Sequence, residues 1–269
     1  MLFRSFPFLV WVADFRDVPV DPLLKNVWWP GFQHWVIRKL LGRAQNLTTV
    51  SEGLAQHLRK HYQRPVHVMH NAPIHQQGDE VQIQAFAQFT IAYTGSLYPQ
   101  QQNAEPLFLA LKELLDEGIL PETQLQLLVC GKDGAIWQNW AAVFGLSNIL
   151  EDRGMLSHSE ALSLQHSAQL NLLLSWNSPQ LQGILTSKVF EYLQAKRPIL
   201  AIVNGSNDVE LENLIHTYSP GSLVVYPDQS LYALKRFLQK EYENWRPGKK
   251  TYLSLPDAPC WENEIKKAF

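Results

Sequence analysis

The sequence predicts an α/β protein in which parallel sheets are covered by helices. Two observations lead to this prediction. Runs of apolar residues without polar alternation, such as Leu170–Leu174, are typical of strands that are buried on both faces. Amphipathic helical patterns follow these runs in regular alternation, which indicates parallel pairing through right-handed crossovers. A chain of 269 residues has room for one large domain or two small ones.

Residues 1–73 are predicted to form a partial α/β domain. This stretch holds fewer strand patterns than a free-standing nucleotide-binding fold usually has. Ser51 precedes a helical pattern and is expected to cap that helix. The predicted elements are a strand over Phe8–Ala13, a helix over Trp35–Ala44, a strand over Leu47–Val50, a helix over Glu52–Tyr62 and a strand over Val66–Met69.

Residues 74–88 are predicted to be a linker, because the stretch around Gly78 is rich in glutamine and poor in apolar residues. Residues 89–245 are predicted to form a complete doubly wound, Rossmann-type domain. The tail, residues 246–269, is polar and contains prolines, and no element is predicted there. The predicted strands of the second domain are Phe89–Tyr93, Gln124–Cys130, Ile149–Leu150, Leu170–Leu174, Ile199–Val203 and Ser222–Val225. The predicted helices are Glu105–Glu117, Ala135–Phe144, Ser159–Ser167, one that starts near Ser187, Asn207–Ile215 and Leu231–Trp245.

Composition narrows the function classes. The formal net charge is -2, so there is no basic field that would favour nucleic acid. Two cysteines do not make a disulfide framework, and we expect a cytoplasmic setting. The histidines show no metal-ligand spacing, and no metal site is expected. Four tryptophans outside periodic segments are predicted either to anchor core and loops or to cover an interface or a membrane surface: Trp28, Trp29, Trp245 and Trp261.

The stretch Gly183–Ala201 carries the clearest chemical signal. Thr186 and Ser187 are both suitable N-caps for the helix that follows. Free N–H groups and the positive dipole end of that helix suit a phosphate, and Lys188 adds a cation there. Glu191, one turn further, is placed to accept hydrogen bonds from sugar or ribose hydroxyls. The alternative is an ordinary αβ unit whose Glu191 is merely solvated.

Glycine turns follow two predicted strands. Gly95 and Ser96 come directly after the first strand of the second domain, where ligands bind in doubly wound sheets. Gly95 would let a diphosphate approach the backbone. Lys132, after the next strand, could face the same cleft, and the alternative is a solvated loop lysine. Asp14-Phe15-Arg16-Asp17 ends the first strand of the chain, and either faces a cleft or holds an internal Asp–Arg pair.

Taken together, these sequence segments resemble those of GT-B glycosyltransferases of the group-one, family 4-like type, and the resemblance covers about residues 8–245. The resemblance implies that the run before the helix binds the donor diphosphate and that Glu191 binds the nucleotide ribose. It also implies that the base lies against Met155 and Leu156, whose alternative role is to fill core. Arg16 and Asp17 would act at the lip of a truncated acceptor domain, as catalytic residues together with Lys188 and Glu191.

Two departures from the family pattern bear on activity. The loop from Ser96 to Gln102 holds no cation, where many relatives have an arginine and a lysine. Gly183 stands where many relatives carry a second glutamate. The predicted function is transfer of a sugar from a nucleotide diphosphate sugar to a hydroxyl acceptor, in cell-surface polysaccharide or glycan synthesis. No cofactor is expected beyond this substrate.

Two alternatives stay open. One is a non-catalytic nucleotide-sugar binder, or one half of a two-chain transferase, in which a second copy or a partner chain completes the first domain. The other is a nucleotide-sugar epimerase of the same fold. Peripheral contact with a membrane is a further expectation, drawn from the tryptophans.

Overall fold

The computed structural model describes residues 10–20, 27–71, 83, 86–179, 182–226, 231–246, 259 and 264–266. They divide into two compact units. The first comprises the described residues within Met1–Ala72, Ser178–Leu185 and Pro259–Phe269, and the second those within Pro73–Asn177 and Thr186–Ala258. Within these described parts, no helix is long and apolar enough to cross a membrane.

The first unit contains a parallel sheet of three strands in the order β1-β2-β3. Its strands are β1 (Val12–Phe15), β2 (Asn46–Thr49) and β3 (His67–Val68), and its helices are α1 (Pro30–Leu41) and α2 (Glu52–Tyr62). Ser51 caps α2 as predicted, because its hydroxyl accepts the Leu54 N–H at 3.2 Å. The apolar face of α2 belongs to one buried cluster with Leu47 of β2, and the Leu58 side chain in this face is completely buried.

The second unit contains a six-stranded parallel sheet in the order β6-β5-β4-β7-β8-β9. Its strands are β4 (Phe89–Thr94), β5 (Leu125–Cys130), β6 (Leu150–Asp152), β7 (Leu170–Asn177), β8 (Ile199–Gly205) and β9 (Leu223–Val225). Its helices are α3 (Glu105–Asp116), α4 (Gly134–Val143), α5 (His158–Ser167), α6 (Ser187–Ala195), α7 (Val209–Tyr218) and α8 (Leu231–Trp245). This strand order, with β4 and β7 adjacent at the centre, is the doubly wound arrangement that the sequence predicts.

Burial explains the apolar strand runs. All six residues of β4 are buried, and so are seven of the eight residues of β7. A strand covered by helices on both faces needs apolar or satisfied polar side chains at every position, so alternation disappears. Among the polar exceptions, Asn171 donates from Nδ2 to the Gln165 carbonyl at 3.1 Å. The core of this unit therefore surrounds the central strands.

Several predicted bounds are corrected. The helix predicted over Trp35–Ala44 begins at Pro30 instead, with the proline at N1, a position where its missing N–H costs nothing. The strand predicted over Phe8–Ala13 is shifted to Val12–Phe15, and residues 8 and 9 lie outside the described residues. Strand β7 runs three residues past the predicted end at Leu174.

The remaining predicted elements are found within a few residues of their expected ends. Helices α2 and α8 have the predicted bounds, and Ser157 caps α5 through a complete capping box with Glu160. Most of the predicted linker, residues 74–88, lies outside the described residues, as do Trp261 and nearly all of the predicted tail, residues 246–269. Within the first unit, the Glu264 carboxylate accepts the backbone N–H of His70 at 3.1 Å and lies 3.1 Å from its Nδ1.

Candidate functional site

The strand order of the second unit creates a switch point between β4 and β7. Ligands of doubly wound sheets bind beyond the carboxyl ends of the strands at such a point. Gly95 follows β4 directly, and its N–H donates to the Cys130 carbonyl at 2.7 Å. The turn predicted from the sequence is therefore at the expected place in the fold.

Three glycines hold the loops after β4, β5 and β6 together. Gly95, Gly131 and Gly154 all have positive φ, at 125°, 150° and 63°. The N–H of Gly131 donates to the Gly154 carbonyl at 2.8 Å, and a Cβ on Gly131 would overlap the carbonyl oxygen of Gly95. Side chains at the first two positions are excluded both by conformation and by space. The loops after β4, β5 and β6 therefore form one backbone-lined rim, which we call the glycine rim.

Lys188 of α6 lies against this rim. Its Nζ is 3.3 Å from the carbonyl oxygen of Ser96, 3.4 Å from the Tyr93 hydroxyl and 5.0 Å from the centre of the Tyr93 ring. A Cβ on Gly95 would overlap the end of the Lys188 side chain. Burial lowers the pKa of Lys188, and the nearby carboxylates of Glu191 and Asp133 partly oppose that effect. The structure thus brings together the predicted residues Gly95, Ser96 and Lys188.

Glu191 is fixed by a buried polar network. Gln165 of α5 donates from Nε2 to Glu191 Oε2 at 2.9 Å and to the Thr94 hydroxyl at 2.9 Å. The hydroxyl of Tyr192 lies 3.2 Å from both the N–H and the hydroxyl oxygen of Thr94. Burial raises the pKa of Tyr192 to about 12, so its hydroxyl stays protonated. Glu191 is partly exposed, which leaves it accessible to a ligand.

Sequence reasoning did not find Gln165. It is fully buried in α5, and a glutamine in an amphipathic helix is normally assigned to the solvent face. Its Oε1 is buried without a hydrogen-bond partner among the described residues. A buried orphan acceptor beside a candidate site is consistent with a ligand or an ordered water. In the sequence, the only indication that Gln165 could be buried is its position next to Leu164, a residue of the apolar face of α5 that is buried in the structure.

Asp133 is a second residue that the sequence did not single out. Its Oδ2 accepts the Leu97 N–H at 2.7 Å, so this carboxylate ties the loop after Gly95 to the start of α4. Gln102 closes the same loop, because its Nε2 donates to the Leu174 carbonyl at 2.6 Å and its Oε1 accepts the Tyr98 N–H at 3.0 Å. The loop without cations is therefore held by neutral and acidic side chains.

The start of α6 differs in detail from the prediction. Thr186 occupies the N-cap position, yet its side chain makes no capping hydrogen bond, and Ser187 is the first helical residue and exposed. The predicted hydroxyl caps are thus corrected. The first N–H groups of α6 lack this side-chain acceptor, which suits an anion. Before this helix, Gly183 lies in the first unit and has φ of 74°, a conformation that disfavours a side chain such as glutamate at this position.

The other predicted donor-site residues have different environments. Lys132 is exposed in the loop after β5. This agrees with the alternative that Lys132 is a solvated loop residue. Met155 is 74% exposed after β6. Leu156 is half-buried and packs against the cluster that contains Leu128 and Leu164. This is the core-filling role that the sequence left open as the alternative to base binding.

Arg16 and Asp17 lie in the first unit. The Arg16 guanidinium donates to the Asp14 carboxylate at 2.5 Å and to Asn71 Oδ1 at 2.8 Å, and Thr48 donates its hydroxyl to Asp14 at 2.7 Å. The internal Asp–Arg pair that the sequence left open is thus present. Asp17 is exposed at the end of the same loop. This network orients Arg16 at the carboxyl end of β1.

Neither a scan against protein-family models nor a search of curated proteins finds a match for the chain. Solved structures do match. WaaG, a glycosyltransferase involved in lipopolysaccharide biosynthesis, has a TM-score of 0.57 at 15% identity, over 86% of this chain and 65% of its own. Sucrose-phosphate synthase from Thermosynechococcus elongatus has a TM-score of 0.56 at 15% identity, over 89% of this chain and 60% of its own.

A third match is an S. aureus TarM variant, whose structure contains UDP, fondaparinux and alpha-GlcNAc-glycerol. It has a TM-score of 0.57 at 9% identity, over 95% of this chain and 49% of its own. The chain thus spans between about half and two thirds of the length of these structures. At such low identity the similarity establishes the fold, which is that of GT-B glycosyltransferases.

Proposed function

We propose that this chain is a glycosyltransferase module that binds a nucleotide diphosphate sugar and transfers the sugar to a hydroxyl acceptor. The observation that carries the proposal is the pairing of Lys188 and Glu191 on one face of α6, beside the glycine rim at Gly95. An ammonium next to free helix N–H groups suits a diphosphate. A carboxylate one turn away suits the two hydroxyls of a ribose.

The reaction follows from these groups. The acceptor oxygen forms a bond to the anomeric carbon while the bond from that carbon to the diphosphate breaks, and the acceptor gives up its proton. Lys188 and the first turn of α6 stabilise the charge that develops on the leaving diphosphate. Arg16 and Asp17 are the polar candidates on the acceptor side, where Asp17 would orient or deprotonate the hydroxyl. In this proposal the exposed Met155 contacts the base and Gln165 positions Glu191.

A second candidate function is donor binding without transfer by this chain alone. Two observations favour it. Asp133 accepts the Leu97 N–H in the loop where a diphosphate would need free hydrogen-bond donors. Residues 96–102 of the same loop supply no cation. In this case a partner chain would complete the first unit, or the chain would act only as a nucleotide-sugar binder. The buried, free thiol of Cys130 fits the reducing cytoplasm that we propose for either function.

One assay separates these functions. The chain is incubated with UDP-, GDP- and dTDP-sugars, and release of the nucleoside diphosphate is measured with and without hydroxyl acceptors. Acceptor-dependent release supports the transferase. Donor binding that calorimetry detects, without release of the nucleoside diphosphate, supports the nucleotide-sugar binder. Release that does not depend on the acceptor indicates hydrolysis, and conversion of the sugar without an acceptor indicates epimerisation. If no nucleotide binds at millimolar concentration, the donor site itself is wrong.

A further inference from the structure

A cluster of exposed aromatic side chains lies at α1 of the first unit. We call it the α1 surface, and its members are Trp28, Trp29, Phe32 and Trp35. Trp28 and Trp29 are each 77% exposed. Tryptophan is usually well covered in a folded protein, so three such side chains within eight residues need a physical reason.

The α1 surface is confined to the start of α1 and the two residues before it. Phe32 and Trp35, one helical turn apart, are stacked with ring centres 5.8 Å apart. In the described part of the second unit, by contrast, the exposed large apolar residues are dispersed over separate loops and helices, as Tyr98, Val143 and Tyr232 illustrate. Scattered exposure of that kind is normal, whereas four exposed aromatic side chains within eight residues mark a contact surface.

Charge indicates what the α1 surface contacts. Arg38, Lys39 and Arg43 follow the aromatic residues, and the sequence from Val27 to Ser51 contains no acidic residue. The described part of the first unit carries eight lysines and arginines against four aspartates and glutamates, although the whole chain has a net charge of -2. The Lys39 ammonium lies 6.0 Å from the centre of the Trp35 ring. Lys39 and Trp35 therefore lie on the same side of α1, whereas Arg38 donates to the His61 carbonyl of α2.

We propose that the α1 surface is the contact of this chain with an anionic lipid membrane. Indole rings place an apolar body in the acyl boundary and an N–H at the headgroup level, and the adjacent cations meet the lipid phosphates. Helix α1 has 12 residues and is about 18 Å long, which suits a helix lying in the interface plane and is too short to span a bilayer. This inference is independent of the proposed donor site.

The experiment is flotation of the full chain with vesicles of phosphatidylcholine alone and of phosphatidylcholine mixed with phosphatidylglycerol. The chain should float with the mixed vesicles, stay in solution with the neutral ones and dissociate partly at high salt. Two double variants test the two parts of the α1 surface: Phe32→Ser with Trp35→Ser, and Lys39→Glu with Arg43→Glu. Each should lower the partition coefficient by about tenfold or more.

Matched controls come from the second unit. Val143→Ser with Tyr232→Ser removes exposed apolar groups, and Arg236→Glu with Lys240→Glu reverses two exposed charges at the same i, i+4 spacing. Both controls should float like the wild type. Circular dichroism and thermal unfolding check that each variant is folded. If the Phe32 and Trp35 double variant does not fold, Trp28→Ser replaces it, because Trp28 precedes the helix and is exposed.

Several results would overturn the proposal. These are absence of flotation with anionic vesicles, equal flotation with neutral vesicles, and α1 variants that float like the wild type. A dimer in light scattering that the Phe32 and Trp35 substitutions abolish, without flotation of the wild type, would assign the α1 surface to a second copy of the chain instead.

Discussion

Replacing Lys188 with methionine tests the candidate donor site most directly. Methionine keeps much of the length and the apolar stem of lysine but removes the ammonium near Ser96 and Tyr93. A charge-assisted hydrogen bond contributes about 1.5–3 kcal/mol, which corresponds to about 10- to 150-fold in affinity. The ammonium is already engaged by the Ser96 carbonyl and two carboxylates act on it, so the lower end of that range is expected.

The assay is titration calorimetry with a nucleoside diphosphate and with the matching nucleoside. Lys188→Met should weaken the diphosphate by about tenfold, for the reason just given, and leave the nucleoside unchanged. Lys112→Met is the matched control, since Lys112 is paired with Asp116 on the surface of α3. An equal loss for both ligands would refute the reasoning, because Lys188 would then act on folding or on the base. No loss for either ligand would remove it from the site.

Four further predictions follow from the same contacts. Glu191→Ala should weaken nucleoside binding more than Glu191→Gln, since glutamine keeps one acceptor, and equal binding by both folded variants would make Glu191 a surface residue. Gln165→Met should weaken the nucleoside less than Glu191→Ala does, because it only frees the carboxylate to rotate; a larger loss would point to direct contact of Gln165 with the ligand. Asp133→Asn should strengthen diphosphate binding several-fold, since the amide still accepts the Leu97 N–H without the charge, with Asp116→Asn as the control. Because burial lowers the pKa of Lys188, diphosphate affinity should fall as pH rises through that pKa, below the pH at which an ordinary lysine loses its proton, and the Lys188→Met variant should lack this alkaline fall.

Much of the second unit could be predicted because its local patterns and its topology agree. The apolar run of β7 and the capping residue Ser157 each indicate a single type of element. The first unit was harder. Trp28, Trp29 and Phe32 point to solvent at the start of α1, so the hydrophobic period that marks a helix is broken there. The prediction therefore began this helix at Trp35, one turn or more too late.

The site was only partly predictable for a different reason. Lys188 and Glu191 lie three residues apart on one helix, so a short stretch of sequence contains their relation. Gln165 contacts Thr94, 71 residues away, and Glu191, 26 residues away, and only the packing of α5 beside β4 and α6 creates those contacts. Asp133 is likewise defined by its bond to Leu97, 36 residues earlier. Side chains of this kind have no periodic signal.

The charge balance of the site bears on whether this chain transfers sugar. Lys188 contributes one positive charge, while Glu191 and Asp133 are both close enough to act on its pKa. A diphosphate would therefore meet a group of three charged side chains, Lys188, Glu191 and Asp133, that together carry a net negative charge, and the helix N–H groups would have to supply the remaining attraction. Such a site binds a leaving diphosphate weakly, and weak binding of the leaving group means little stabilisation of the transition state that forms it. A partner that brings a cation to the rim near Gly95 would reverse this balance. Donor turnover that rises when a second chain is added, and that Asp133→Asn also raises without it, would support this account.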